Sequence, residues 1–128
     1  MPRNSNDIAK EWIQVAESDL IAARALLGNP VLPRQTSYCA QQCAEKAIKA
    51  ILSQANIAFP KTHDLVELVT LLPPQSAIHT LNIDWATLTE WAVRGRYPGT
   101  GPAAMTIEAT DAIVMAAKIF AVAQSQIS

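Results

Sequence analysis

The sequence predicts a single all-α domain of five helical segments, and three observations lead to that prediction. Apolar residues recur at spacings of three and four along most of the chain, and no segment shows a convincing strand pattern. Glycine and proline interrupt this periodicity at residues 28–30, 73–74 and 94–104. A chain of 128 residues is the size of one ordinary domain. We therefore expect residues 1–128 to form one domain, with its core within about 7–127.

The first two helices have the strongest periodicity. Residues 7–27 place their apolar side chains on one stripe, and residues 28–30 are expected to end this helix. Pro33 suits the first turn of a second helix, which we expect to continue to residue 54. The inward face of this second helix consists mainly of small residues, so we expect close packing: Ala40, Cys43, Ala44, Ala47, Ile48 and Ile51.

Three more helices are expected in the second half of the chain. Thr62 is expected to cap a short helix that carries Leu65 and Leu68 and ends before Pro73. A fourth helix is expected to begin near Asp84 and to end at the sequence RGRYPG, residues 94–99. The sequence GTGPAA that follows is expected to be irregular, and Thr106 is expected to cap a long final helix.

The composition and the final helix both favour self-association. Charged residues make up 16% of the chain, against roughly 25% in typical soluble domains. In the final helix, Ile107, Val114 and Ala121 recur every seven residues on the side away from its main apolar face. We therefore expect a homodimer in which a second copy covers this stripe. The alternative is that these are scattered surface residues.

Overall charge and composition exclude several classes of protein. A net charge of −1 and a pI near 6.1 argue against a general nucleic-acid coat protein, so any nucleotide contact must be local. The N-terminal residues lack an apolar signal region, and Lys118 interrupts the longest apolar tract, so we expect a cytoplasmic protein without a membrane segment. Cys39 and Cys43 are too few to close a zinc site and are expected to pack in the core. We expect no metal and no cofactor.

The sequence RGRYPG carries the sharpest indication of a binding site. Arg94 and Arg96 flank a glycine, and Tyr97 with the following Pro-Gly then stiffens the chain. Guanidinium groups bind phosphate in a planar, bidentate geometry, and a tyrosine ring can stack on a base, so this corner is a candidate anion site. The alternative is a helix C-terminus, where cations favour the helix dipole and glycine and proline end the helix.

The second helix also has a polar stripe, which includes Lys46 and Lys49 together with Gln42 and Ser53. The two ammonium groups are candidates for contact with a phosphate. The alternative is an ordinary solvated face in which Gln42 and Glu45 surround the lysines.

Asp19 lies in the middle of the apolar stripe of the first helix. An isolated buried carboxylate costs several kcal/mol, so we expect a cation or hydroxyl from another helix to pair with it. The candidates are Arg94, Arg96 and Tyr38. His63, at the start of the third helix, is either a binding residue or a hydrogen-bond partner of a neighbouring loop.

Four short segments together resemble a known family. They are SDL from Ser18, YCAQQCAEKAIKAIL from Tyr38, KTHDLVEL from Lys61 and RYPG from Arg96. In this order they resemble the HEPN domain, the higher-eukaryote and prokaryote nucleotide-binding family, over about residues 7–127. The resemblance implies an up-down helical bundle of three long and two short helices that forms a homodimer with a nucleotide- or RNA-associated groove. It also implies a minimal nucleotidyltransferase partner, as in toxin–antitoxin pairs.

This sequence departs from the ribonuclease motif of that family, an Arg followed four to six residues later by a His. No histidine follows Arg94 or Arg96, and neither His63 nor His79 is preceded by an arginine at that distance. The hypothesis we favour is therefore a non-catalytic binding module. The resemblance and the residue types together make its candidate contacts Arg94, Arg96, Tyr97, His63, Lys46 and Lys49. The alternatives are a metal-independent ribonuclease that joins His63 with Arg96, and a purely structural interaction dimer.

Overall fold

The fold consists of five α-helices and one turn of 3-10 helix in a computed structural model that describes residues 4–28, 32–93 and 102–127. The helices are α1 (Ser5–Leu26), α2 (Pro33–Gln54), α3 (Leu65–Thr70), α4 (Trp85–Val93) and α5 (Pro102–Gln126). The 3-10 turn, Ala77–Thr80, lies between α3 and α4 and was not predicted. The described ranges contain no strand. The prediction of an all-α fold with three long and two short helices is confirmed.

Helix α2 lies at the centre of the bundle and contacts the other four helices. Small side chains fill the boundary between α1 and α2, including Ala16 and Ala23 on one helix and Ala40 and Ala47 on the other, all at 0% exposure. Side chains this short let two helix backbones approach closely. As a result, long polar side chains on the flanks of α2 are covered by their neighbours instead of facing water.

The end of α2 turns the chain back along the same helix. Asn56, just beyond the helix, has a φ of 58°, a left-handed conformation that asparagine tolerates. The N–H of Ile57 donates to the carbonyl of Leu52 at 2.9 Å, and that of Asn56 donates to Ser53 at 3.1 Å. This pair of bonds is a Schellman motif. It directs residues 57–64 back over the side of α2, where Phe59 and His63 lie.

Two predicted helix starts were wrong. Asp64, rather than Thr62, caps α3, and its carboxylate accepts the N–H groups of Val66 at 2.9 Å and of Glu67 at 3.4 Å. The hydroxyl of Thr62 instead accepts the N–H of Asp64 at 3.1 Å, so it supports the cap. Helix α5 begins at Pro102, four residues before Thr106. Proline suits the first helical position, where no N–H donor is needed. Residues 102–104 are therefore helical, although they were expected to be irregular.

Replacing Asp64 by alanine is expected to lower the free energy of unfolding by about 1 kcal/mol, because α3 loses its capping carboxylate. Urea unfolding monitored by circular dichroism measures this change. Asp64→Asn is the matched control, since asparagine also caps well, and it should retain most of the stability. Equal losses in both variants would mean that the cap is not the source of the effect.

The main face of α5 packs against the core through Ala112, Ala116, Ile119, Phe120 and Ala123. The second stripe lies in solvent: Ile107 is 63% exposed, Val114 is 48% exposed, and Ala121 is also exposed. In the described part of the chain, no helix combines the length and apolar character needed to cross a bilayer.

Candidate functional site

A continuous line of polar side chains runs along one side of α2 and is largely buried. Gln41 is fully buried, and Glu45, Lys49 and Gln42 are 1%, 7% and 8% exposed. The alternative of an ordinary solvated face around Lys46 and Lys49 is therefore wrong. Helix α1 and residues 57–64 cover this side of α2, because the small residues at the helix boundary bring α1 close.

Glu45 is the centre of this line. Its Oε1 lies 2.7 Å from Nδ1 of His63, and its Oε2 accepts a hydrogen bond from Nζ of Lys49 at 2.9 Å. Burial alone would raise the pKa of the Glu45 carboxyl, but its hydrogen bonds to His63 and Lys49 and their charges outweigh burial and lower this pKa. Glu45 is therefore a buried carboxylate with both oxygens engaged.

The ammonium group of Lys49 lies over two neighbouring aromatic rings. Its Nζ is 5.7 Å from the ring centroid of Trp12 and 5.7 Å from that of Phe59. The two rings meet edge to face, with centroids 6.3 Å apart. Attraction between a cation and ring faces stabilises a partly desolvated lysine. The charge of Lys49 is thus directed to Glu45 and the rings, inside the protein. Lys49 stabilises the Glu45 carboxylate and does not face a ligand.

Asp19 pairs with Lys46, a cation of another helix that was not among its three expected partners. The Nζ of Lys46 is 3.6 Å from Oδ2 of Asp19 and donates to Oε1 of Gln42 at 2.8 Å. Oδ2 of Asp19 has no hydrogen-bond partner within the described residues, and burial raises the pKa of this carboxyl despite the charge of Lys46. Tyr38, one of the three expected partners, is 46% exposed and makes no such bond.

His63 joins the buried line to the protein surface. Its side chain is 62% exposed although Nδ1 contacts the buried Glu45, and its carbonyl accepts the side-chain amide of Gln41 at 2.9 Å. The next segment is tied to α4, because the N–H of Leu65 donates to Oγ1 of Thr89 at 3.0 Å. The imidazole is therefore held at a fixed position with its Nε2 edge available to a ligand.

The candidate residues divide into three groups. His63 and Lys49 meet through Glu45, whereas Lys46 pairs with Asp19. Lys46 is linked to the backbone of His63 only through the side chains of Gln42 and Gln41. The candidates Arg94, Arg96 and Tyr97 lie outside the described residues. Sequence reasoning missed Glu45 as the organising residue. The signal was present, since Glu45 and Lys49 are four residues apart in the favourable orientation on a helix.

The two cysteines make no hydrogen bond or ion pair with this line of polar side chains in the described residues. Both are unpaired, and Cys43 is buried, which raises the pKa of its thiol to about 12. Within the described ranges, no group of three or more histidine, cysteine or acidic side chains is arranged to hold a metal ion. The residues described here form a hydrogen-bonded and charge-paired network around one exposed histidine.

Comparison with known proteins places this architecture in a family. The model of the HEPN domain matches residues 9–126. The crystal structure of TT1696 from Thermus thermophilus is similar with a TM-score of 0.71 and 28% sequence identity, over 91% of this chain and 96% of that one. The crystal structure of ST0689, an archaeal HEPN homologue, has the same fold with a TM-score of 0.68, at 24% identity and over all of both chains. Among curated proteins, none matches the chain. This chain belongs to the HEPN domain family.

Proposed function

We propose that this protein is a nucleotide- or RNA-binding HEPN module, with His63 as one contact and Arg94, Arg96 and Tyr97 as the others. The observation that carries the proposal is an exposed imidazole fixed by a buried carboxylate, Glu45. A surface side chain that a second layer of residues holds in place is typical of binding sites.

The connection between α3 and α4 supports the same assignment. Leu65 follows His63 by two residues and is bonded to Thr89 of α4. Thr89 lies four residues, about 6 Å along the helix axis, before Val93, where α4 ends. Arg94 follows Val93 in the sequence. The histidine segment is thus attached to the helix that leads into the arginine pair.

We also propose that the protein acts as a homodimer. The support is the stripe of Ile107, Val114 and Ala121, which the described part of one chain leaves in solvent. A two-fold axis beside α5 would bury this stripe against its own copy. The family also suggests a partnership with a minimal nucleotidyltransferase in a toxin–antitoxin pair, and a nucleotidyltransferase gene beside this one would support it.

A metal-independent ribonuclease is the second candidate, and the contact between Glu45 and His63 favours it. A carboxylate that accepts the Nδ1 proton leaves Nε2 free to take a proton from a ribose 2′-hydroxyl, while Arg96 would stabilise the charge on phosphorus. The sequence lacks the arginine–histidine spacing of the family's motif, so we rank this candidate below binding.

Thermal unfolding with nucleotides and with single-stranded RNA in EDTA tests both candidates. A ligand at 100 times its Kd should stabilise the protein by about 2.7 kcal/mol, and Arg96→Ala should remove this effect. RNA cleavage abolished by both Arg96→Ala and His63→Ala would establish the ribonuclease instead. An unchanged melting temperature with every ligand would leave the interaction dimer as the function, which sedimentation velocity then measures.

A further inference from the structure

One line of side chains on α5 faces solvent over most of the helix. Its members are spaced alternately four and three residues apart, and every one of them is exposed: Ile107, Asp111, Val114, Lys118, Ala121 and Ser125. This spacing averages about 3.6 residues, so these side chains lie on one side of the helix. We define them as the α5 seam. The seam extends for about 27 Å along the helix axis, which is long enough for two helices to pack side by side.

The centre of the α5 seam combines an apolar side chain with two charges that lack a partner in the described part of the chain. Val114 is 48% exposed. Asp111 precedes it by three residues, and Lys118 follows it by four. The ion pairs among the described residues involve the carboxylates of Asp19 and Glu45, so Asp111 and Lys118 take part in none of them. Asp111 and Lys118 are also too far apart on the helix to pair with each other, because helical ion pairs join residues three or four positions apart.

Two-fold symmetry allows two orientations of this seam against a second copy. An axis along α5 makes the two helices parallel and brings Asp111 to Asp111 and Lys118 to Lys118, and like charges at an interface oppose association. An axis perpendicular to α5 makes the helices antiparallel. If this axis passes through Val114, Asp111 of each chain lies opposite Lys118 of the other, because the two residues flank Val114 at nearly equal distances. The charges of the seam therefore favour the antiparallel orientation.

We propose that the α5 seam packs antiparallel against the α5 seam of a second copy, with Val114 at the two-fold axis and Asp111 of each chain paired with Lys118 of the other. The inference rests on the proposed homodimer and adds its orientation, its register and the charges that select the partner. In this register Ile107 of one chain meets Ala121 of the other, so a large side chain packs against a small one. The pairing also gives a role to Lys118, the charge that interrupts the longest apolar tract of the sequence.

A cavity beside the α5 seam supports the position of the second copy's lysine. The cavity has a volume of about 390 Å³, and its lining includes Asp111 of the seam, Glu108 and, just before α4, Asp84. None of the described residues that line it is basic. Asp84 accepts the N–H of Thr87 at 3.2 Å, which fixes its carboxylate at the start of α4. Lys118 of the second copy, opposite Asp111, therefore meets an acidic surface that attracts its ammonium group.

Sedimentation velocity of the full chain over a range of concentrations tests whether this surface forms the dimer. Val114→Glu places two carboxylates at the two-fold axis and should weaken dimerisation about tenfold or more. Ile21→Glu is the matched control, because Ile21 is 60% exposed on a different helix, and this variant should dimerise like the wild type. Both positions are exposed, so both variants should keep the circular dichroism spectrum of the wild type.

Charge reversal tests the orientation and the register. Asp111→Lys and Lys118→Asp should each weaken dimerisation about tenfold, because each substitution turns both ion pairs into repulsions. The double variant exchanges the two charges and should recover the affinity of the wild type. An equal mixture of the two single variants should also associate, since each then meets a partner of opposite charge. Lys10→Asp, at an exposed position on α1, controls for the change in net charge and should have no effect.

The outcomes separate the inference from the proposed homodimer. A wild type that stays monomeric at every concentration overturns both. A dimer that Val114→Glu leaves intact uses another surface, which overturns the α5 seam alone. Single reversals that leave the affinity unchanged overturn the antiparallel register, because in a parallel pair like charges face each other in the wild type and in both single variants. Weakening by both single reversals, with recovery in the double variant and in the mixture, supports the proposal.

Discussion

Replacing Glu45 by alanine is expected to lower the free energy of unfolding by about 3–5 kcal/mol. The substitution leaves the ammonium of Lys49 buried over the rings of Trp12 and Phe59 without its anionic partner. It also removes the contact with Nδ1 of His63. Urea unfolding followed by circular dichroism measures the loss.

The matched control for this prediction removes both charges. Glu45→Leu combined with Lys49→Met replaces the ion pair by apolar side chains of similar volume, and such replacements of buried pairs are often neutral or stabilising. The double variant should therefore be more stable than Glu45→Ala. If Glu45→Ala itself lost less than about 1 kcal/mol, as exposed pairs do, the pair would not be buried in solution.

The pH dependence of stability provides an independent check on Glu45. Its pKa is lowered on folding from an ordinary value of 4.5, so the folded state binds fewer protons than the unfolded state near this pH. The resulting stability is complete above pH 4.5 and is lost as the pH falls through the lowered pKa. The raised pKa of Asp19 acts in the opposite sense, since ionisation above its ordinary 3.8 disfavours the folded state. Glu45→Gln should therefore lose less stability on acidification than the wild type.

Replacing Ile48 by alanine is expected to destabilise the fold by about 2–5 kcal/mol. Ile48 is at 0% exposure in the middle of α2, where closely packed neighbours relax little around a cavity. Ile21→Ala is the matched control, because Ile21 is 60% exposed on α1 and its truncation should change stability by less than about 0.5 kcal/mol. Comparable losses in the two variants would contradict the assignment of α2 to the centre of the bundle.

The three long helices were predictable because their sequences are locally consistent. Periodic apolar residues predicted the bounds of α2, which the structure gives as Pro33–Gln54. The small residues on its inner face predicted the close packing. The starts of α3 and α5 were mispredicted, since both depend on a choice between neighbouring residues that cap or begin a helix. A threonine and an aspartate two residues apart can each cap, and the backbone at Asp64, which is extended, decides between them.

The candidate site was less predictable than the fold. Periodicity placed Lys46 and Lys49 on the polar side of α2, but it gave no measure of how closely α1 and residues 57–64 cover that side. The burial of Glu45 depends on the turn at Asn56, which returns Phe59 and His63 to the helix. Contacts of this kind join residues 18 positions apart in the sequence, such as Glu45 and His63, and no local pattern predicts them.

The central claim is our proposal that a nucleotide or RNA binds beside His63, the exposed histidine that Glu45 holds in place. Nuclear magnetic resonance titration of the isotope-labelled protein with an RNA hexanucleotide in EDTA tests it most directly. The account predicts saturable shift changes at His63 and at the side-chain amides of Gln41 and Gln42, which are hydrogen-bonded to its segment. Saturable changes confined to the opposite end of the bundle, around Gln54 and Gln126, or no changes at millimolar RNA, would contradict it.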